Sequence, residues 1–147
     1  MSSEQLEEMG PVDYIVLEWP DRQPKGDVFP MILDLVDRGI IRILDIAFIT
    51  KDADGGIAGL ELDALEDQGG RLREFEGASS GLLDDDDLQD AARALRPGTS
   101  AAVLVWENRW AAPVAVALRR SGGELVASGR VPIQAILASL DATESVV

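Results

Sequence analysis

The chain contains no cysteine and no histidine among its 147 residues. The first absence removes disulfides, thiolate nucleophiles and cysteine ligands for zinc or iron–sulfur clusters. The second removes the commonest general base, every serine–histidine triad and histidine ligation of zinc or haem. Carboxylate, lysine, tyrosine or backbone chemistry stays open, so an enzyme is disfavoured without being ruled out; neither a metal nor a cofactor is expected. Aromatic residues make up only 5% of the chain, which leaves aliphatic side chains to fill the core. Basic residues are also scarce: 13 Lys and Arg against 27 Asp and Glu, a net charge of −14. Such a surface repels phosphate backbones and anionic membranes, which argues against nucleic-acid and membrane partners. No apolar run reaches the roughly 20 residues a membrane helix needs. The opening MSSEQLEEMG lacks the basic start and apolar core of a signal peptide, so the expectation is a cytoplasmic protein.

What is present is an ordinary globular balance, 46% hydrophobic and 27% charged. The length suits one domain, placed at residues 11–141, after a flexible tail at 1–10 and before a frayed end at 142–147. Val12–Trp19 reads as a strand ended by Pro20, with Tyr14, Val16 and Glu18 on one face. Asp21–Gly26 is a polar loop, and Asp27 is a candidate N-cap for a helix over Val28–Arg38. In that helix Phe29, Ile32, Leu33 and Val36 recur at helical spacing, and Gly39 provides the stop. Ile40–Thr50 is the longest strand. Strict alternation puts Ile41, Ile43, Asp45, Ala47 and Ile49 on one face and Arg42, Leu44, Ile46, Phe48 and Thr50 on the other. Both faces are apolar in the middle, so both need cover, the second from an insert, a terminal helix or a partner.

The turn KDADGG and a short strand at Ile57–Leu62 complete a hairpin. Asp63–Ser80 reads as an irregular acidic loop with at most a short helix near Arg71–Phe75. Leu82–Arg96 is an acidic-headed, basic-tailed helix, complementary to its own dipole. Ser100–Trp106 has the profile of a central strand. A helix capped by Asn108 follows, with Trp110, Val114, Ala117 and Leu118 as its inward stripe. Glu124–Val131 is assigned as a strand, and Pro132 opens a last short helix carrying Ile133, Ile136, Leu137 and Leu140.

Gly39 lies nine positions after Pro30, and Gly122 nine positions after Pro113. Each of these helices follows a strand with a tryptophan near its end, Trp19 or Trp106, and precedes another strand. This echo suggests an α+β fold with a ferredoxin-like core of two βαβ halves. The two tryptophan-ended strands would lie centrally and antiparallel. The inserted hairpin strand, the acidic helix and the C-terminal helix would be additions.

Three segments, GPVDYIVLEWP, LVDRGIIRILDIAFITKDADGGI and LVWENRWAAPVAVALRRSGGELVASGRVP, together resemble a bacterial family of small acidic proteins of unknown function. The middle segment is also similar to a wider uncharacterised, often stress-associated family. The glycine-rich membrane hairpin common in that wider family has no counterpart here. The resemblance spans Gly10 to about Leu140 and implies no activity and no catalytic residue.

Four places invite a functional reading. Asp52 and Asp54 in the KDADGG turn supply too few ligands for a calcium loop. Asp84–Asp87 suits a helix start better than a metal. Asp45 interrupts an apolar strand face, where a carboxylate needs a partner, with Arg42, Arg109 and Arg130 as candidates. Glu107, Asn108 and Arg109 sit where a central strand meets a helix, a place where free N–H groups and an arginine can hold an anion. The leading expectation is a non-enzymatic, self-associating domain forming a homo-oligomer. Behind it stand a small anionic-ligand sensor using Glu107, Asn108 and Arg109, and a cofactor-free ferredoxin-like barrel enzyme using Asp45 or Tyr14.

Overall fold

The computed structural model describes residues 3–21, 28–59 and 80–145. The expected cap Asp27, most of the Asp21–Gly26 loop and the segment around Arg71–Phe75 fall outside them. The chain forms two compact units, Met1–Ala117 and Leu118–Val147.

In the first unit, a short helix α1 (Ser3–Glu7) precedes β1 (Val12–Trp19), α2 (Val28–Asp37), β2 (Ile41–Lys51) and β3 (Ile57–Gly59). Helix α3 (Asp85–Arg93) and β4 (Ser100–Asn108) come next. One turn of 3-10 helix (Arg109–Ala111) then leads into α4 (Ala112–Arg120). The strands form an antiparallel sheet in the order β1-β4-β2-β3, so the chain is α+β. Strand β4 is central, as its unbroken apolar run requires, with eight of its nine residues buried. Strand β1 pairs with β4 along its whole length but lies at the sheet edge, not at its centre. The sequence places it centrally because it assigns a further strand to Glu124–Val131. Those residues form no strand and are exposed. Valines and leucines favour strands, but a strand exists only where a neighbour accepts its hydrogen bonds, and none of the described sheet strands does so here.

Strand β2 is covered on both faces within one chain. On one face α2 sets Phe29 and Leu33 against Ile41, Ile46, Phe48, Ala102, Leu104 and Trp106. Phe29 is the pivot: its ring lies 5.5 Å from Trp19 and 5.4 Å from Phe48, the second contact edge-on. On the other face α3 sets Ala92 and Leu95 against Ile49, Ala101 and Val103. Cover for the second face of β2 thus comes from the inserted helix.

Strict alternation along β2 does not hold. Ile43 opposes Trp106 and Asp45 opposes Val105, so Leu44 is an extra residue in the ladder. This bulge flips the parity of everything after it. Ile41 and Ile43 share the α2 face with Ile46 and Phe48, whereas Ile49 reaches α3. Asp45 is thereby turned away from the α2 core.

The two echoed helices end alike. Gly39 (φ 71°) and Gly122 (φ 82°) take the left-handed conformation that an L side chain resists. In each case two N–H groups fold back on the last turn: Gly39 to Val36 and Ile40 to Leu35, then Gly122 to Arg119 and Gly123 to Leu118. Their burial differs. Helix α2 buries Phe29 and Leu33, whereas α4 buries nothing, and Trp110, Val114 and Leu118 of its expected inward stripe are exposed. The second unit holds the end of α4 and the helix α5 (Ile133–Ser145). Helix α5 ends at Ser145 and leaves Ile133, Ile136, Leu137 and Leu140 exposed.

Candidate functional site

Asp45 is 3% exposed, and among the described residues its partners are backbone groups, not any of the three candidate arginines. Its Oδ1 accepts the N–H groups of Ile46 (2.9 Å) and Ser80 (3.2 Å), and its Oδ2 accepts that of Leu83 (2.7 Å). The Ser80 hydroxyl adds a bond to the Leu44 carbonyl at 2.6 Å. The bulge at Leu44 and the carboxylate beside it therefore dock the segment that leads into α3. Asp84 and Asp87 then start that helix with a reciprocal capping box. The acidic run is a helix start, in accordance with its charge.

The far end of α3 is held from the same strand. Lys51 Nζ donates to the carbonyls of Ala92 (2.9 Å), in the last turn, and Leu95 (3.0 Å), just past the C-cap, placing a cation at the negative end of the helix dipole. Two β2 residues, Asp45 and Lys51, thus fasten the inserted helix at its start and its finish. Lys51→Met keeps much of the aliphatic stem and removes both bonds. It is expected to cost about 1–2 kcal/mol, measured by urea unfolding, with faster amide exchange confined first to the last turn of α3.

The Glu107–Arg109 corner is also internally bonded. Glu107 accepts the Gly10 N–H (2.9 Å) and the Arg42 Nε–H (2.9 Å). Gly10 is required there, because a Cβ would collide with the Asn108 carbonyl oxygen. Asn108 uses its full capacity of four side-chain bonds. Its Oδ1 accepts from both indoles, Trp106 at 3.0 Å and Trp110 at 3.2 Å. Its Nδ2 donates to the Pro11 carbonyl (3.2 Å) and to Asp13 Oδ2 (2.7 Å). Asn108 makes no side-chain cap, and a 3-10 turn succeeds it instead of an α-helix start. Arg109 is exposed. The corner therefore ties the start of β1 to the end of β4, using the Glu107 and Asn108 side chains inside the chain.

Asp52 and Asp54 close the β2–β3 turn. The Asp52 N–H reaches the Gly56 carbonyl at 2.7 Å, and Asp54 Oδ1 accepts the Gly56 N–H at 3.1 Å. Among the described residues, no three acidic side chains converge as a metal site.

Sequence reasoning missed a sizeable cavity among the described residues. A groove of about 610 Å³ opens beside α3 on the sheet face that α3 only half covers. Its floor is Val12, Tyr14 and Val16 of β1 with Val103 and Val105 of β4. Its wall is α3 with its C-cap, presenting Asp87, Asp90, Ala91 and Ala94. The floor was legible in part, because Tyr14 and Val16 fall on one face of β1 by alternation. The wall was not, since only the tertiary fold brings α3 alongside.

Residues 8–146 match a family model described as a family of unknown function (DUF6325), and the chain belongs to that family. No curated protein and no solved structure matches it. Among the described residues no helix is long and apolar enough to cross a membrane.

Proposed function

We propose that the protein is a non-enzymatic domain that self-associates through the outer edge of β1. The observation that carries this reading is the state of that edge. Eight residues, Val12–Trp19, run in unbroken register with β4 and have no strand on their other side among the described residues. Natural edge strands are guarded by proline, lysine, bulges or short length. Strand β1 has none of these inside it. It does carry Asp13 and Glu18, but Asp13 accepts from Asn108, and Glu18 accepts the Arg96 N–H at 2.8 Å. A two-fold axis beside β1 would pair it antiparallel with its copy and join two four-stranded sheets.

The ferredoxin-like reading leads to the same place. Helix α2 crosses from β1 to β2 with β4 lying between them, a split βαβ arrangement, and in that reading a further strand belongs outside β1. A second copy supplies it.

Light scattering at tens of micromolar is expected to give twice the 15.8 kDa chain mass. Tyr14 is 73% exposed, so Tyr14→Lys adds a charge to the edge strand without opening the core. It is expected to weaken the dimer about tenfold, because a solvated lysine on an edge strand opposes pairing with another strand. A strictly monomeric mass for the unaltered chain at that concentration sinks the proposal.

A further inference from the structure

We infer that the groove beside α3 is a docking site for a basic amphipathic helix of another polypeptide. Three observations meet there. The floor is mainly apolar and its outer part is open: Val12 is 46% exposed and Tyr14 73%, beside half-buried Val16 and Val105 and buried Val103, with Asp13 at its edge. The dimensions suit a helix, since Val12–Val16 and the nine residues of α3 each run about 13 Å, a little more than two helical turns. An apolar stripe at i, i+3 or i+4 and i+7 would cover that floor.

Charge selects the partner. Residues 1–117 carry 24 acidic and ten basic side chains, whereas residues 118–147 carry three of each, so the whole net charge of −14 resides in the first unit. At the groove itself the wall presents Asp87 and Asp90, on a helix whose first turn is Asp85, Asp86 and Asp87. Asp90 is paired with Arg93 at 2.8 Å, but both side chains are mostly exposed, and such a pair exchanges partners at little cost. A helix with lysine or arginine flanking its apolar stripe meets this wall with opposite charge and is steered towards it at long range. A second copy of this groove does not fit, because facing grooves would set Asp87 and Asp90 against their own counterparts.

The probe is a fluorescein-labelled 14-residue leucine–lysine peptide with helical amphipathic spacing, titrated with the full chain and followed by fluorescence anisotropy. A scrambled peptide of the same composition is the control. The helical peptide is expected to bind at least tenfold tighter than the scramble and to weaken as salt rises. Ala94 is exposed at the C-cap of α3 and lines the groove, so Ala94→Trp obstructs the wall from outside the core. It is expected to weaken binding about tenfold, and Asp90→Asn about threefold, with circular dichroism and melting temperature nearly unchanged. Equal binding of helix and scramble, or indifference to Ala94→Trp in a folded variant, overturns the inference. So does saturation by dodecyltrimethylammonium below its micellar concentration without any helix binding, which would make this a small-molecule site. The groove uses the face of β1, whereas the proposed self-association uses its edge. Peptide binding by a monomeric chain therefore retains this inference while removing that one.

Discussion

Replacing Asp45 with alanine is expected to destabilise the protein by about 3 kcal/mol, with the loss beginning at α3. Three backbone N–H groups, those of Ile46, Ser80 and Leu83, give up their acceptor in this variant. A buried donor left without a partner costs about 1–3 kcal/mol. The Ile46 bond is buried, while those of Ser80 and Leu83 are partly accessible and recover some solvation, hence a figure near the lower end of the summed range. The measurement is urea unfolding read by tryptophan fluorescence, together with amide exchange. Exchange in Asp85–Arg93 is expected to accelerate under conditions where Phe29, Leu33 and the α2 face stay protected. Asp45→Asn retains one acceptor oxygen and turns an amide donor towards the remaining N–H, so about half the loss is expected. A variant as stable as the parent, with α3 unchanged, contradicts the role assigned to this carboxylate.

Asn108→Asp is expected to be the other severe change, and its penalty depends on pH. At present the Nδ2 amide donates to Asp13 Oδ2 at 2.7 Å and to the Pro11 carbonyl. A carboxylate at position 108 has no proton to give there at neutral pH. It would set two negative oxygens within hydrogen-bond distance of one another and leave the Pro11 carbonyl facing a third acceptor. Of the order of 3 kcal/mol is expected at pH 7, since the pair is part-buried and the repulsion is poorly screened. The repulsion also sets the sign of the pH dependence. Two like charges at one site raise the protonation constant of one of them in the folded state above its unfolded value. Below the unfolded carboxylate range both states hold the proton, and that part of the penalty disappears. It grows as pH rises through the range. The stability difference between variant and parent should therefore shrink from pH 7 to pH 4, in parallel urea titrations. Asn108→Ala lacks the repulsion and should show a nearly constant deficit of about 2 kcal/mol, from two indole N–H groups losing Oδ1. A penalty for Asn108→Asp that does not change between those pH values contradicts the Asn108–Asp13 contact.

Much of the local structure is readable from particular residues. The spacing of Phe29, Ile32, Leu33 and Val36 identifies α2 and its buried side, and Gly39 marks its end. The acid-to-base gradient of the inserted helix corresponds to α3, although the ordered helix begins at Asp85 after an Asp84 cap, three residues later than its apolar content suggests. The seven apolar or small residues before Glu107 mark β4 as central. These are signals of the 3.6-residue and two-residue periods and of chain termination, and each is encoded within about ten residues.

The polar sites were legible as residues and not as partnerships. Asp45 stands out in the sequence because it breaks an apolar run, yet its partners include the backbone of residues 80 and 83. A backbone N–H has no letter in the sequence, so arginines are the natural but mistaken guess. Arg42, one of those guesses, is bound to Glu107. Lys51 gave no signal, because carbonyls at a helix end are equally anonymous. The Glu107–Arg109 corner is located correctly between strand and helix, but its bonds to Gly10, Pro11 and Asp13 join positions more than 90 residues apart.

Local sequence signals were enough to assign most of the helices and strands, to mark where α2 and α4 stop, and to exclude histidine and cysteine chemistry. They were enough because propensity, periodicity and the left-handed freedom of Gly39 and Gly122 act over a few residues. Tertiary packing settled the rest. One extra residue at Leu44 reverses the parity of β2, and the alternating pattern carries no mark of it, since isoleucines occur on both sides of the shift. Two helices with the same internal spacing and the same stop differ in burial, because burial depends on what the sheet presents and not on the stripe. Val12, Tyr14 and Val16 become an open floor only because α3 stands to one side of them and no described strand lies beyond β1. Hydrophobic free energy has no direction along the chain, so which apolar surface ends up uncovered is settled by three-dimensional packing.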